Sequence, residues 1–300
     1  MSRPLAAALG ILADRVIGEP PTRPHPVAVL GSLLMGVERV LYADRRSAGI
    51  AHAGLGVALG VGGGAALRST AIATYLAVAG RALGDAALDV EWALRAGDLA
   101  AARSLLPALV GRDPSQLAED EVCRAAVESV AENTVDAVVA PALWAAVCGA
   151  PGAVLHRVLN TMDAMVGHRD QRYRNYGWAA ARLDDLAAWL PARVTAAFVA
   201  GCRPRSARRV LRVVRRDASA HPSPNGGVAE AAFAAALGVR LGGINRYGDR
   251  LEVRPGLGDG APPVAGDISR AVRLSRDVSM ALAGALATAG LVSRRNGARR

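Results

Sequence analysis

The sequence predicts an all-α fold: a multi-pass α-helical integral membrane protein with amphipathic cytoplasmic helices. Three observations predict it. Hydrophobic residues make up 52% of the 300, and mean hydropathy is positive at +0.22. Ile50–Leu67 and Ala137–Leu155 carry no formal charge, and each approaches the roughly 20 apolar residues that cross a bilayer as a helix. Clusters of Arg flank the apolar runs, as cytoplasmic anchors do.

Three further runs are shorter or interrupted. Leu5–Ile17 is apolar apart from Asp14 and Arg15, Leu186–Cys202 apart from Arg193, and Val278–Val292 carries no formal charge. Arg203, Arg205, Arg208, Arg209, Arg212, Arg215 and Arg216 crowd one connection, and Arg294, Arg295, Arg299 and Arg300 close the chain. Both clusters are expected on the cytoplasmic face of the cell membrane, with Val228–Gly243 as a re-entrant or partial span between them. Gly54, Gly56, Gly60 and Gly62–Gly64 lie inside an apolar run with no preceding strand. They read as small residues that let membrane helices approach closely, and not as a phosphate loop. No alternating pattern marks a strand, and the Gly/Pro-rich Arg254–Gly266 reads as an exposed loop. Asp113-Pro114-Ser115 has the form of a helix start. The chain reads as one polytopic domain over 1–300, with 81–135 and 160–185 as polar helical segments that form the candidate active site.

Composition narrows the function. A chain this apolar is not disordered, and three scattered Cys make no disulfide framework. All 36 basic residues are Arg, so a Walker-type lysine or a Schiff base is excluded. Against 26 acids they leave a net charge of +10. No aromatic-and-basic stacking pattern accompanies that charge, so nucleic acid is not an expected partner. The lipid bilayer is.

The candidate chemistry sits in the centre. Glu128, Glu132 and Asp136 recur every fourth residue, so they drift only about 80° around a helix and share one face. Arg124 precedes them by one turn, and Asn133 flanks them. Acids beside apolar sequence hold a cation or pair with Arg, which marks Glu132 first and Asp136 second as metal ligands. Asn160 and Asp163 share a helical face. Arg169, Arg172 and Arg182 form an anion-binding candidate, and Asp184-Asp185 suits metal–phosphate work. In His221-Pro222-Ser223-Pro224-Asn225-Gly226-Gly227, Ser223 and Asn225 and the backbone N–H groups suit an anion. His25 and His221 read as structural.

These motifs, in this order, resemble the CobD/CbiB family of adenosylcobinamide-phosphate synthases. The matching pieces are GEPPTRPHPV at Gly18–Val27, GRDPSQL at Gly111–Leu117 and RAAVESVAENTVDAVVAP at Arg124–Pro141. NTMDAMVGHR at Asn160–Arg169, GWAAARLDDLAAWLPAR at Gly177–Arg193 and HPSPNGG at His221–Gly227 complete them. Val228-Ala229 departs from the aromatic and Pro expected after that turn. The resemblance implies a membrane enzyme of cobalamin biosynthesis that joins aminopropanol, or its phosphate, to a propionate of adenosylcobyric acid. Mg²⁺ and ATP are the implied co-reactants, yet no known ATP motif is present. Glu128, Glu132, Asp163, Asp184 and Asp185 are then the catalytic candidates. Arg124, Asn133, Asn160, Arg169, Arg172, Arg182, Ser223 and Asn225 are the substrate- or phosphate-binding candidates. A second copy of the chain, or other late cobalamin-assembly enzymes, are the protein partners to consider. The competing reading is a membrane corrinoid-binding or transport protein whose buried acids form an ion relay.

The topology is tested by cysteine labelling. Cysteines placed in 203–216 or after Val292 should react only from the cytoplasmic face; labelling from the opposite side would refute the assignment.

Overall fold

The computed structural model describes the chain except residues 21–24, 112, 169, 248–249 and 298–300, and except the side chains of 244–252 and 294–297. Thirteen helices are described among these residues. They are α1 (Arg3–Ile17), α2 (Pro26–Leu41), α3 (Arg46–Leu67), α4 (Thr70–Ala77), α5 (Gly80–Arg95), α6 (Leu99–Leu105) and α7 (Glu119–Thr134). After them come α8 (Ala140–Cys148), α9 (Ala150–Val166), α10 (Trp178–Cys202), α11 (Ala207–Asp217), α12 (Gly226–Leu237) and α13 (Ala265–Gly297). A π-helical turn, Val135–Val139, joins α7 to α8. Among the described residues, three helical stretches are long and apolar enough to cross a membrane: Arg46–Leu67, Thr70–Arg95 and Glu119–Cys148. The first coincides with an expected run, and the third takes in Ala137–Cys148 of another. Ala137–Leu155 is broken by Gly149 at φ 74°, which ends α8 and starts α9.

One further element departs from the sequence expectation. Strands β1 (Leu241–Tyr247) and β2 (Arg250–Leu257) pair antiparallel, with Leu241 opposite Leu257 and a bulge between Leu241 and Gly243. The two glycines hide the strand from any alternation test, because they supply positive φ angles of 84° and 116° for the bulge. Arg254 is therefore a strand residue and not part of a loop. Asp113 does not start a helix either. It closes a turn by accepting from the Ser115 N–H at 2.9 Å, and α7 begins at Glu119, where Glu121 accepts from the Ala118 N–H at 2.9 Å.

The chain divides into two compact units. The first comprises Met1–Ala79, Asp136–Pro191 and Leu282–Arg300. Helix α9 packs on α3, α8, α4 and α2 here. Its contact with α3 depends on glycine: a Cβ at Gly60 or Gly64 would stand 2.8 Å from the Leu155 Cα or 2.5 Å from the Pro151 Cα. Leu34, Val158, Met162 and Tyr176 fill the core around it. Two prolines each free a helical carbonyl, because Pro has no N–H to donate to residue i−4. Both carbonyls find new donors. The Ala79 N–H donates to the Ala137 carbonyl, four residues before Pro141, at 2.9 Å. The Trp144 indole N–H donates to the Ala187 carbonyl, four residues before Pro191, at 2.9 Å.

The second unit comprises Gly80–Val135 and Ala192–Ala281. Its centre is α12, where Gly226 through Ala235 and Leu237 are buried. It packs against α7, α11 and both strands, so 228–237 lies in the interior of this unit and 241–243 belong to strand β1. Cations close its C-terminal end, as the helix dipole favours. Arg209 Nε donates to the Ala235 carbonyl at 2.7 Å, and Arg270 donates to the Leu237 carbonyl at 2.6 Å.

Trp144→Phe keeps the ring and removes the indole donor. Leaving the Ala187 carbonyl without it should cost about 1–3 kcal/mol, read as a lower melting temperature in detergent with helicity unchanged.

Candidate active site

The site of the second unit is built on one face of α7. Arg124, Glu128 and Glu132 stand one turn apart, and the first two clamp a single residue of the hairpin. Arg124 Nη1 donates to the Gly242 carbonyl, and the Gly242 N–H donates to Glu128 Oε1 at 2.9 Å. Gly242 is required there, because a Cβ would stand 2.1 Å from the Pro255 carbonyl oxygen. Arg124 and Glu128 thus tie α7 to β1 and β2. Ser129 Oγ donates to the Leu109 carbonyl at 2.7 Å, and Asn133 donates back to Ser129.

Beside this face lies a polar cavity of about 120 Å³ lined by Leu109, Val110, Gly111, Ala125, Glu128, Ser129, Glu132 and Arg254. Glu132 reaches the start of α12. The Cβ position of Gly226 lies 3.2 Å from Glu132 Oε1 and 3.3 Å from His221 Cε1. The His221–Asn225 turn is held by its own side chains. Ser223 Oγ accepts from the Gly226 N–H at 3.0 Å, and His221 Nδ1 accepts from the Ser223 N–H at 3.1 Å. The same Nδ1 lies 3.1 Å from the Ser223 carbonyl oxygen, and Nε2 faces Glu230 Oε1 at 3.4 Å. Arg254 Nη1 is 3.4 Å from His221 Nε2 and 3.9 Å from Glu230 Oε1. Asn225 Oδ1 accepts from Arg193 at 3.0 Å.

Two motifs that the sequence separates by almost a hundred residues therefore meet. Four members escaped sequence reasoning as site residues: Arg193, His221, Glu230 and Arg254. Glu230 had a readable signal, since it is the one charged residue in Gly226–Leu237 and is fully buried. A buried carboxylate is costly unless cations and donors surround it. Arg254 had none, because only the hairpin register carries it to α12.

The remaining candidates belong to the first unit. Asp136 lies in the π-helical turn, a feature frequent at functional sites. Asn160 and Asp163 share a face of α9 as expected. Arg172 donates to Glu38 at 3.1 Å and stacks on the rings of Tyr42 and Tyr173. Arg182 is exposed, while Asp184 and Asp185 are half-buried on α10. Burial, and then the charge of Asp185, pushes the Asp163 carboxyl above the ordinary carboxylate range. Arg169 lies outside the described residues, as do Pro21–Pro24 and Arg112 of the quoted motifs. Among the described residues, no group of three His, Cys, Asp or Glu is arranged to hold a metal by protein donors alone.

These features define a helical protein with helices fit for a bilayer and a small, buried, charged site. The family described as CobD/Cbib protein matches residues 7–275. "Cobalamin biosynthesis protein CobD" of Mycobacterium tuberculosis is 48% identical over 290 residues, covering 92% of each chain. The proteins of that name from Rhodobacter capsulatus and Citrobacter koseri are each 41% identical. The first covers 90% of this chain and 89% of the relative, the second 90% and 92%. No solved structure matches. The chain belongs to the CobD/CbiB family of cobalamin biosynthesis proteins.

The raised pKa of Asp163 has a definite sign. Below the ordinary Asp range the carboxyl is protonated in both states. As pH rises from there to the folded value, the native state binds more protons than the unfolded state, so stability falls. Asp163→Asn should remove that loss and raise the melting temperature at neutral pH; equal slopes of stability against pH in the two proteins would refute it.

Proposed function

We propose that the protein is a membrane enzyme of cobalamin biosynthesis that forms the amide between aminopropanol, or its phosphate, and a propionate of adenosylcobyric acid, using ATP. The observation that carries the reading is the meeting of Glu132 and Arg254 on one polar cavity, with His221, Ser223, Asn225 and Glu230 behind it. The family supports cobalamin biosynthesis, and the site chemistry supports amide formation. At about 120 Å³ the cavity is well below the roughly 300 Å³ of a drug-sized pocket. It suits a phosphate or a short amine; the corrin ring lies elsewhere.

A carboxylate becomes an amide only after activation. Its oxygen attacks the γ-phosphorus of ATP and ADP departs. The amine nitrogen then attacks the acyl carbon, phosphate leaves with the C–O bonding pair, and the nitrogen gives up a proton. Arg254 supplies a guanidinium fork for phosphate, and the N-terminal end of α12 adds its favourable dipole. Glu132 orients the amine and takes its proton. Glu230 and His221 hold Arg254 in place. Mg²⁺ keeps most of its waters and takes one or two protein carboxylates, which Glu132 fits; when bound it offsets phosphate charge. Glu128 is already committed to the Gly242 N–H. Three stretches long and apolar enough to cross a membrane support the membrane location.

Purified protein in detergent, given adenosylcobyric acid, aminopropanol phosphate and MgATP, should yield the amide and ADP. No amide from folded protein with either amine overturns the reading. Glu132→Gln should lower turnover by about 100-fold or more, or shift the Mg²⁺ requirement upward, while the melting temperature holds. Parental rate and Mg²⁺ dependence would remove Glu132 from the chemistry.

A further inference from the structure

The arginines of α11 divide by what they touch. Successive residues turn about 100° around the helix, so Val210 and Val213 share one side. Both are fully buried, and α11 packs on α12 and β2. Arg209 and Arg216 flank that side and are used within the protein. Arg209 Nε donates to the Ala235 carbonyl at 2.7 Å, and Arg216 pairs with Asp217 and with Asp259, the latter at 2.6 Å.

Arg208, Arg212 and Arg215 lie on the opposite side, within an arc of about 60°. All three are exposed, and Leu211 at the edge of the arc is 51% exposed. Among the described residues, their guanidinium groups make no hydrogen bond and no ion pair. Like charges one turn apart repel, and no acid of the protein offsets them. Internal packing therefore explains Val210, Val213, Arg209 and Arg216, and leaves the outer face unexplained.

An anionic bilayer surface fits that face. Its phosphates match guanidinium forks, and basic side chains are drawn to anionic lipid within a screening length of the surface. Leu211 can enter the boundary between headgroups and acyl chains. Nucleic acid fits less well, because residues 203–216 hold no aromatic side chain to stack on a base. Three stretches fit to cross a membrane also make lipid headgroups the polyanion at highest effective concentration.

We infer that α11 lies along the membrane surface, with Arg208, Arg212 and Arg215 on the headgroups of anionic phospholipid and Leu211 at the acyl boundary. Opposite sides of one helix then serve the headgroups and the packing on α12. The inference rests on the membrane reading above and is independent of the amide chemistry.

A fluorophore on Leu211→Cys in the full chain tests it, with Cys148 and Cys202 replaced by Ser and the buried Cys123 kept. The protein is placed in nanodiscs of phosphatidylcholine, with or without phosphatidylglycerol. Quenching by neutral acrylamide should be about threefold weaker where phosphatidylglycerol is present. Raising salt to about 1 M, where the screening length is about 3 Å, should remove the difference. Arg208→Gln, Arg212→Gln and Arg215→Gln together should also remove it, at unchanged melting temperature. Equal quenching in the two kinds of disc, or protection that survives both high salt and the triple substitution, overturns the inference. Protection by an RNA oligonucleotide with none from phosphatidylglycerol assigns the face to nucleic acid and overturns it too. Recovery of the protein from a high-speed supernatant without detergent would overturn the membrane reading and the inference with it, so the two failures are told apart.

Discussion

Polar groups in an interior of alanine, glycine and valine must find partners inside the protein. Small side chains let helices approach closely and shut out water, so an unmet donor or acceptor costs about 1–3 kcal/mol. The folded chain answers this repeatedly. Carbonyls freed by Pro141 and Pro191 take N–H donors from Ala79 and Trp144. The last carbonyls of α12 take Arg209 and Arg270. Both backbone groups of Gly242 are taken by α7, the carbonyl by Arg124 and the N–H by Glu128.

The candidate site is the same constraint turned to chemistry. Glu230 is fully buried in a helix otherwise made of Gly, Ala, Val, Phe and Leu, and His221 and Arg254 gather around it. Their arrangement fixes Arg254 on the wall of a cavity whose other charged members are Glu128 and Glu132. A rigid cation facing carboxylates is what phosphate and amine chemistry require, because the groups need not reorganise as charge develops. Arg124 and Glu128 support this indirectly, by holding the hairpin that delivers Arg254.

Arginine does several distinct jobs here, which suits a chain with no lysine. Arg209 and Arg270 cap a helix, Arg124 ties a hairpin, Arg172 lies over tyrosine rings, and Arg254 faces the candidate site. A planar fork of donors serves each of these geometries, and it stays charged when buried. The sequence count of 36 therefore overstates the charge available to a partner, since part of it is spent on internal carbonyls and carboxylates.

Helical character, the α3 stretch and the shared face of Arg124, Glu128 and Glu132 were legible in the sequence, because they depend on local spacing along a helix. So was the importance of the His221–Gly227 turn, whose prolines and glycines announce a fixed backbone. The resemblance carried by these motifs pointed to the family that residues 7–275 match. Only tertiary structure decided the rest. The hairpin was hidden because its glycines satisfy a bulge rather than an alternation. Gly149 splits the second apolar run because a positive φ ends a helix whatever the hydropathy around it. His221 became a site residue, and Arg254 joined it, through contacts between segments distant in sequence, which no periodicity encodes. The glycines of α3 read as one stripe in the sequence, but packing sorted them. Gly60 and Gly64 must be small because a Cβ there would meet α9, whereas a Cβ at Gly62 meets no atom within 4 Å.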